Sequence, residues 1–473
     1  MSRRRNKSFG YYARRVISGI ILIGGALYGG EYYYIQQQSL HIEDILANSV
    51  LKGRKFQAQV QPLQSGEVSA YFLEEHSNPI VSIRFAFQYA GVAYETEEKS
   101  GLSPLLAEML TAGGGKYDAE AFKELCAEYG IKVGFSAGKD DFGGWLQFPR
   151  EYMREAVQIF QAALYFPHFD EDYLNVAKAQ QLMLLKMQKE RPEKVLAEEF
   201  KQFLFAGHPY ERNALGRPEI VTALTAEDLE ENRQTKLARS NLLVALAGDL
   251  SADEAKQLLD DLFGALPAEN DGEKLVPLTI ETSGAELAVH RKSAQAVMHF
   301  AAQGTFRNSV DFYPLYMANY IFGEAGLTSR LNKHIREEKG LTYGIYTYLS
   351  ISDAAALIEG GFSATPDNFT QAKEILLAEW QRLSEEGVSA QELDAVKKSL
   401  LASYNLRFAE IDGIAEMLLA MQKYGLGIDF LDKRNDYIAE VSLQEVNAAA
   451  KKYFRTAPNS VYIGAQKEKE NKK

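Results

Sequence analysis

The chain has 473 residues, 46% hydrophobic and 25% charged, which describes a globular protein large enough for two or more domains with ample core. Its formal net charge is −12, although Arg3, Arg4, Arg5, Lys7, Arg14 and Arg15 crowd the N-terminus; so acidic a body excludes the basic face that nucleic-acid binding requires. The single cysteine, Cys126, excludes an internal disulfide and any thiolate metal site.

Residues 1–15 form a basic end, followed by the apolar run VISGIILIGGALYGG at 16–30. As a helix this run spans about 22 Å, short of a bilayer core of about 30 Å. Extension through Tyr32–Ile35 makes a span feasible, with the tyrosines at the interface. Residues 16–35 therefore read as a signal anchor, with a cleaved signal peptide as the alternative. The cations stay cytoplasmic and send the body outward. The predicted location is the periplasmic side of a bacterial inner membrane, or the soluble periplasm after cleavage.

Beyond the membrane segment, one structural unit is used twice. In the first half, IVSIRFAFQYAG (80–91) alternates as a strand, and SGLSPLLAEMLTAGGG (100–115) and DAEAFKELCAEYG (118–130) read as helices. The stretch 131–149 reads as a hairpin turning at Lys139–Asp141. The second half repeats this order: strand 294–304, helices 311–326 and 327–340, hairpin 341–364. Helical patterns at 154–164 and 170–187 match those at 370–380 and 389–406, the latter pair at an offset of about 219 residues. The polar stretch between Pro267 and Pro277 is the joint. The predicted fold is α+β: two homologous α/β sandwich domains, helices packed on a mainly antiparallel sheet, at 50–266 and 280–466. They are joined by a linker at 267–279 and followed by a charged, disordered tail at 467–473.

The second half holds an unusual corner. Leu327, Leu331 and Ile335 share a helix face, Lys333, Arg336 and Lys339 crowd its end, and Gly340 suits a left-handed stop. Leu341, Tyr343, Ile345, Thr347 and Leu349 then fall on one side of a strand. Arg336 and Tyr343 thus sit near one corner. On local grounds alone, ordinary helix capping plus an aromatic cross-strand pair is the better explanation of that corner.

Elsewhere the chemistry is sparse. None of the seven histidines pairs with another at a spacing of three or four. There is no P-loop, no dinucleotide fingerprint and no nucleophile elbow. His208, in FAGHPYERN, reads as part of a proline turn, and the acidic runs EEHSN and YETEEKSG as solvated loop faces.

Three segments in order carry a resemblance. GLTSRLNKHIREEKGLTYGIYT fits the pattern SRL-x3-IRE-x2-GL-x-Y; LFAGHPYERNALGRPEIVTAL and LVALAGDLS precede it. Together with the duplication they resemble the pitrilysin/insulinase-type zinc peptidases and their processing-peptidase relatives, over roughly residues 55–465. Active members carry His-x-x-Glu-His on the first helix and a third, glutamate ligand on a later one. At the matching positions this chain has Pro104, Ala107, Glu108 and Leu184. Proline, alanine and leucine offer no metal ligand or proton shuttle, and Glu108 alone cannot make a zinc site. The resemblance therefore implies no cofactor in this chain, no peptidase activity by the chain alone, and zinc in a homologous partner subunit. In some relatives a zinc-free subunit supplies an arginine and a tyrosine, seven residues apart, that hold the substrate backbone. Arg336 and Tyr343 match them. The implied function is a non-catalytic subunit of an extracytoplasmic heterodimeric zinc peptidase, with a peptide substrate. The alternative is a membrane-anchored scaffold or peptide-binding protein without a proteolytic role.

Overall fold

A computed structural model describes residues 59–464, apart from 271, 405–407 and 409. The basic end, the signal anchor at 16–35 and the tail at 467–473 lie outside the described residues. Among the described residues no helix is long and apolar enough to cross a membrane. The described residues 59–324 and 328–464 belong to one compact unit.

The first half runs β1 (Val60–Ser65), β2 (Val68–Glu74), β3 (Ile80–Phe87), α1 (Leu102–Met109), α2 (Ala119–Glu128), β4 (Lys132–Ala137) and β5 (Phe142–Pro149). It continues with α3 (Met153–Tyr165), α4 (Glu171–Glu190), α5 (Pro192–Leu204), α6 (Pro218–Ala223), α7 (Ala226–Lys236), β6 (Leu242–Gly248) and α8 (Ala252–Phe263). The second half runs β7 (Glu286–Val289), β8 (Ala296–Gln303), α9 (Phe312–Asn319), β9 (Ile345–Ile351) and β10 (Ala356–Ala364). Then follow α10 (Pro366–Glu386), α11 (Ala390–Tyr404), α12 (Ile411–Lys423), α13 (Phe430–Glu440), α14 (Leu443–Tyr453) and β11 (Asn459–Ile463).

The first sheet has six strands in the order β1-β2-β6-β3-β5-β4, and the second has five in the order β7-β11-β8-β10-β9. Each is mainly antiparallel with one parallel pair, β2 with β6 and β7 with β11. The matching hairpins β4–β5 and β9–β10 lie at corresponding ends, leaving β4 and β9 as edge strands. Alternation decides the faces. Val81, Ile83, Phe85 and Phe87 of β3 point into the helices of their own half, as do Met298 and Phe300 of β8.

The opposite faces are covered by exchange. Leu196, Phe200 and Leu204 of α5 pack on Ala301, Leu357, Val461 and Ile463 of the second sheet. Ile414, Leu418 and Met421 of α12 pack on Leu73, Ala245 and Ala247 of the first. The two exchanged helices occupy equivalent places in the repeat. Each sheet therefore completes its core with a helix from the other half. Arg84 of β3 adds a forked ion pair to Asp412 of α12, and Ser82 Oγ donates to the same carboxylate at 2.9 Å.

Local geometry departs from expectation at the corner. The α-helix predicted over 327–340 is instead a 3-10 turn at Gly326–Thr328 and a π-helical segment at Asn332–Glu337. A second π-helical segment, Tyr320–Glu324, follows α9. The wider turn brings Gly323 against β9, where an added Cβ would lie 2.4 Å from the Thr347 hydroxyl. A periodic reading of apolar residues cannot distinguish this widening from an ordinary helix.

Candidate functional site

The Arg336–Tyr343 corner is built as a closed turn. Gly340, at φ 64°, stops the helical segment; its N–H donates to Arg336 O at 3.0 Å, and Leu341 N–H to Ile335 O at 3.0 Å. This pattern is the left-handed stop expected of glycine there. Below it, the buried Asn332 amide donates to Ile345 O at 2.6 Å, pinning the helical segment to the start of β9. Thr342 Oγ1 donates to Ser363 O at 2.6 Å and accepts from Gly344 N at 3.1 Å. Leu331 and Ile335 are fully buried beneath the turn.

Tyr343 corrects the strand reading. It precedes β9 and is 78% exposed, whereas Ile345 and Thr347 do face the core. Its two neighbours hold the backbone while its ring projects outward. Arg336 is half-buried, and among the described residues no hydrogen bond or ion pair holds its guanidinium. The turn thus presents a fork of N–H donors and a phenol from a rigid base.

The second set of predicted positions lies on α1 and α4. Pro104 is half-buried, Ala107 is buried, and Glu108 is exposed on α1. Leu184, on α4, is 49% exposed. Gln181 clamps the two helices: its amide donates to Gly101 O and to Leu215 O, both at 2.9 Å. Pro104 follows Gly101, and Leu184 follows Gln181, by one turn each. These side chains do not fit a zinc ion. Among the described residues no group of three or more His, Cys, Asp or Glu converges on a metal position.

Two residues that the sequence reading passed over shape these surroundings. Glu95, assigned to a solvated loop, is buried and caps α1, accepting from Gly101 N at 2.7 Å and Ser103 N at 2.5 Å. Burial pushes its carboxyl up to about 7, against the opposing pull of those N–H groups and of Arg212. Its neighbours Glu97 and Glu98 are indeed exposed. Tyr210, in the GHPY segment, ties the two hairpin tips together: its hydroxyl donates to Asp140 and accepts from Ala354 N at 2.9 Å. His208 belongs to the proline turn, as expected; its Nδ1 accepts from Tyr210 N at 3.2 Å, and burial lowers its pKa. Neither hairpin tip names its partner in sequence.

Comparison with known proteins places this geometry. The profile of the insulinase family, peptidase family M16, matches residues 71–218, and that of the peptidase M16 inactive domain matches 223–400. A protein of Helicobacter pylori named non-peptidase homolog YmxG is 27% identical over 87% of this chain and 94% of its own length. A Bacillus subtilis protein named uncharacterized zinc protease YmxG is 23% identical over 77% of this chain and 88% of its own. The crystal structure of a peptidase M16 inactive domain from Pseudomonas fluorescens superposes with a TM-score of 0.81 at 24% identity, over 86% of this chain and 98% of that one. With two consecutive profiles spanning residues 71–400 and the duplicated sandwich on which they fall, the chain belongs to the insulinase-type peptidase family M16.

Proposed function

We propose that the chain is the non-catalytic subunit of an extracytoplasmic, heterodimeric zinc peptidase. It closes the chamber of a homologous zinc-bearing subunit and holds the backbone of a peptide substrate through Arg336 and Tyr343. One observation carries the reading: the zinc-motif positions hold Pro104, Ala107, Glu108 and Leu184, while Arg336 and Tyr343 remain, seven residues apart, on a turn braced by Asn332 and Thr342, with Tyr343 78% exposed. Backbone recognition suits an extended peptide of varied sequence, and the unpaired edge of β4, packed against α1, offers a strand for it to join. The N-terminal segment at 16–35 anchors the subunit on the periplasmic side.

The test is reconstitution with the zinc-bearing partner. Arg336→Ala and Tyr343→Phe should assemble normally and each lower the partner-dependent peptidase rate about tenfold, roughly 1.4 kcal/mol of transition-state stabilisation. Elemental analysis of this chain alone should find no stoichiometric zinc. Wild-type rates in both assembled variants would reject the backbone-holding role. The scaffold reading is favoured by the loss of the metal positions within an otherwise complete fold. It predicts no effect of the chain on peptidase rate at all.

A further inference from the structure

The two hairpin tips meet with more carboxylates than cations. The tip between β4 and β5 brings Asp140 and Asp141, and the tip between β9 and β10 brings Asp353. Asp140 is buried; Asp141 and Asp353 are half-buried. Asp140 is satisfied twice, by the Tyr210 hydroxyl and by Asp353 N–H, which donates to its Oδ2 at 3.0 Å. Asp141 takes the ammonium of Lys423, the last residue of α12. The Asp353 carboxylate is left with weaker partners: the Tyr94 hydroxyl at 3.4 Å and, at 3.9 Å, the same Lys423 ammonium. One ammonium does not balance three carboxylates, and burial makes the excess charge costly. Nor is the first tip free to draw its carboxylates away. Gly91 N–H donates to Asp140 O at 3.0 Å, and Val92 and Ala93 N–H donate to Gly138 and Lys139 O at 2.9 Å each.

We propose that this junction is a pH-sensitive latch between the two halves: Asp353 holds a proton in mildly acidic solution, and its release as pH rises loosens the β9–β10 tip from Asp140 and Tyr210. Burial first, then the Asp140 carboxylate, push the Asp353 carboxyl up to about 6, against the pull of Lys423. Burial raises Asp141 as well, but Lys423 draws it back through charge and a hydrogen bond. The remaining ionisable groups around the junction supply no second cation to Asp353. Lys139 Nζ lies over the Tyr210 ring at 4.8 Å, and burial favours the neutral form of His208. The phenols of Tyr94, Tyr210 and Tyr424 are kept neutral, each raised above the ordinary tyrosine value by burial. Proton counting gives the sign. Between about pH 4 and 6 the latched tip binds a proton at Asp353, and a tip released into water does not. Acid therefore tightens the latch. The hairpin it holds is the one whose first strand, β9, follows the Tyr343 turn.

The experiment is hydrogen exchange of the full-length chain, read at the Asp353 and Ala354 amides and corrected for the intrinsic rate at each pH. These N–H groups are the ones that Asp140 and Tyr210 hold. Both should be about tenfold more protected at pH 5 than at pH 7, the factor that one proton bound with a midpoint near 6 gives over that range. Asp353→Asn removes the charge with little change of shape. It should leave protection high and equal at both pH values. Asp141→Asn frees Lys423 for Asp353 and should keep the pH dependence while moving its midpoint lower. Equal protection of the wild type at the two pH values overturns the latch, as does a dependence that persists in Asp353→Asn. A dependence lost in Asp141→Asn but kept in Asp353→Asn puts the proton on Asp141 and overturns the assignment. If Asp353→Asn fails to fold, Asp141→Asn decides alone: a lowered midpoint supports the latch, and an unmoved one rejects it.

Discussion

Glu95, buried, and His299, half-buried, are ionisable groups with opposite consequences. Glu95 satisfies two N–H groups at the start of α1, and Glu95→Ala leaves both without that partner. The expected loss is about 1–3 kcal/mol in urea unfolding. A loss below about 0.5 kcal/mol would mean that water replaces the carboxylate. His299 belongs to β8 of the second sheet, on the face that α5 covers, with Phe200 edge-on at 5.6 Å. Burial alone lowers its pKa to about 4. The sign follows from proton counting: between pH 6.5 and about 4 the unfolded chain binds a proton at this site and the folded chain does not. His299 therefore removes stability as pH falls through that window. Denaturation midpoints measured from pH 7 to pH 4 should fall less steeply in His299→Leu than in the wild type. Parallel slopes would show that the folded imidazole is already protonated.

Arg84, Ser82 and Asp412 show why an element can be legible while its partner is not. The helical pattern at α12 and the alternation of β3 are both present in the sequence, as are the glycine stops at Gly130 and Gly340, each with positive φ. The order of strands, helices and hairpins in the two halves follows from these local signals. Nothing local states that Asp412 meets Arg84, 328 positions away. An amphipathic helix declares that it has a sheet to cover, but not which sheet. The same holds at the site. The spacing of Arg336 and Tyr343 was legible through resemblance, whereas the π-helical widening and the exposed setting of Tyr343 arise from tertiary contacts at Gly323, Asn332 and Thr342. Asp412→Ala tests the exchanged contact. Arg84 would keep its position 5.5 Å from the Trp145 ring but lose its carboxylate. Both partners of the pair are a quarter to a third exposed, so solvent screening limits the cost to about 1–2 kcal/mol. Alanine at 412 and lysine at 84, measured singly and together, should give a coupling energy of that sign. Strict additivity would place the stability of the α12 contact in its apolar face alone.

At the scale of the molecule, the duplication has produced an interlock. Each half builds a sheet with helices on one face and lends one helix, α5 or α12, to the bare face of the other. Tyr210 and the Lys423–Asp141 ion pair add polar ties at the hairpin tips. A half expressed alone would leave Leu73, Ala245 and Ala247, or Ala301, Leu357 and Val461, facing water. Exposed apolar faces of that kind favour association over a unique fold. A chain cut within the linker at 267–279 should behave differently. The two pieces co-expressed should recover a soluble complex that unfolds in one cooperative transition, because every core contact survives the cut. Piece 57–266 alone should aggregate or unfold without cooperativity. If it instead gives a sharp thermal transition within a few degrees of the intact chain, the exchanged helices are peripheral to stability. The fixed placement of the Arg336–Tyr343 turn relative to α1 and α4 would then need another cause.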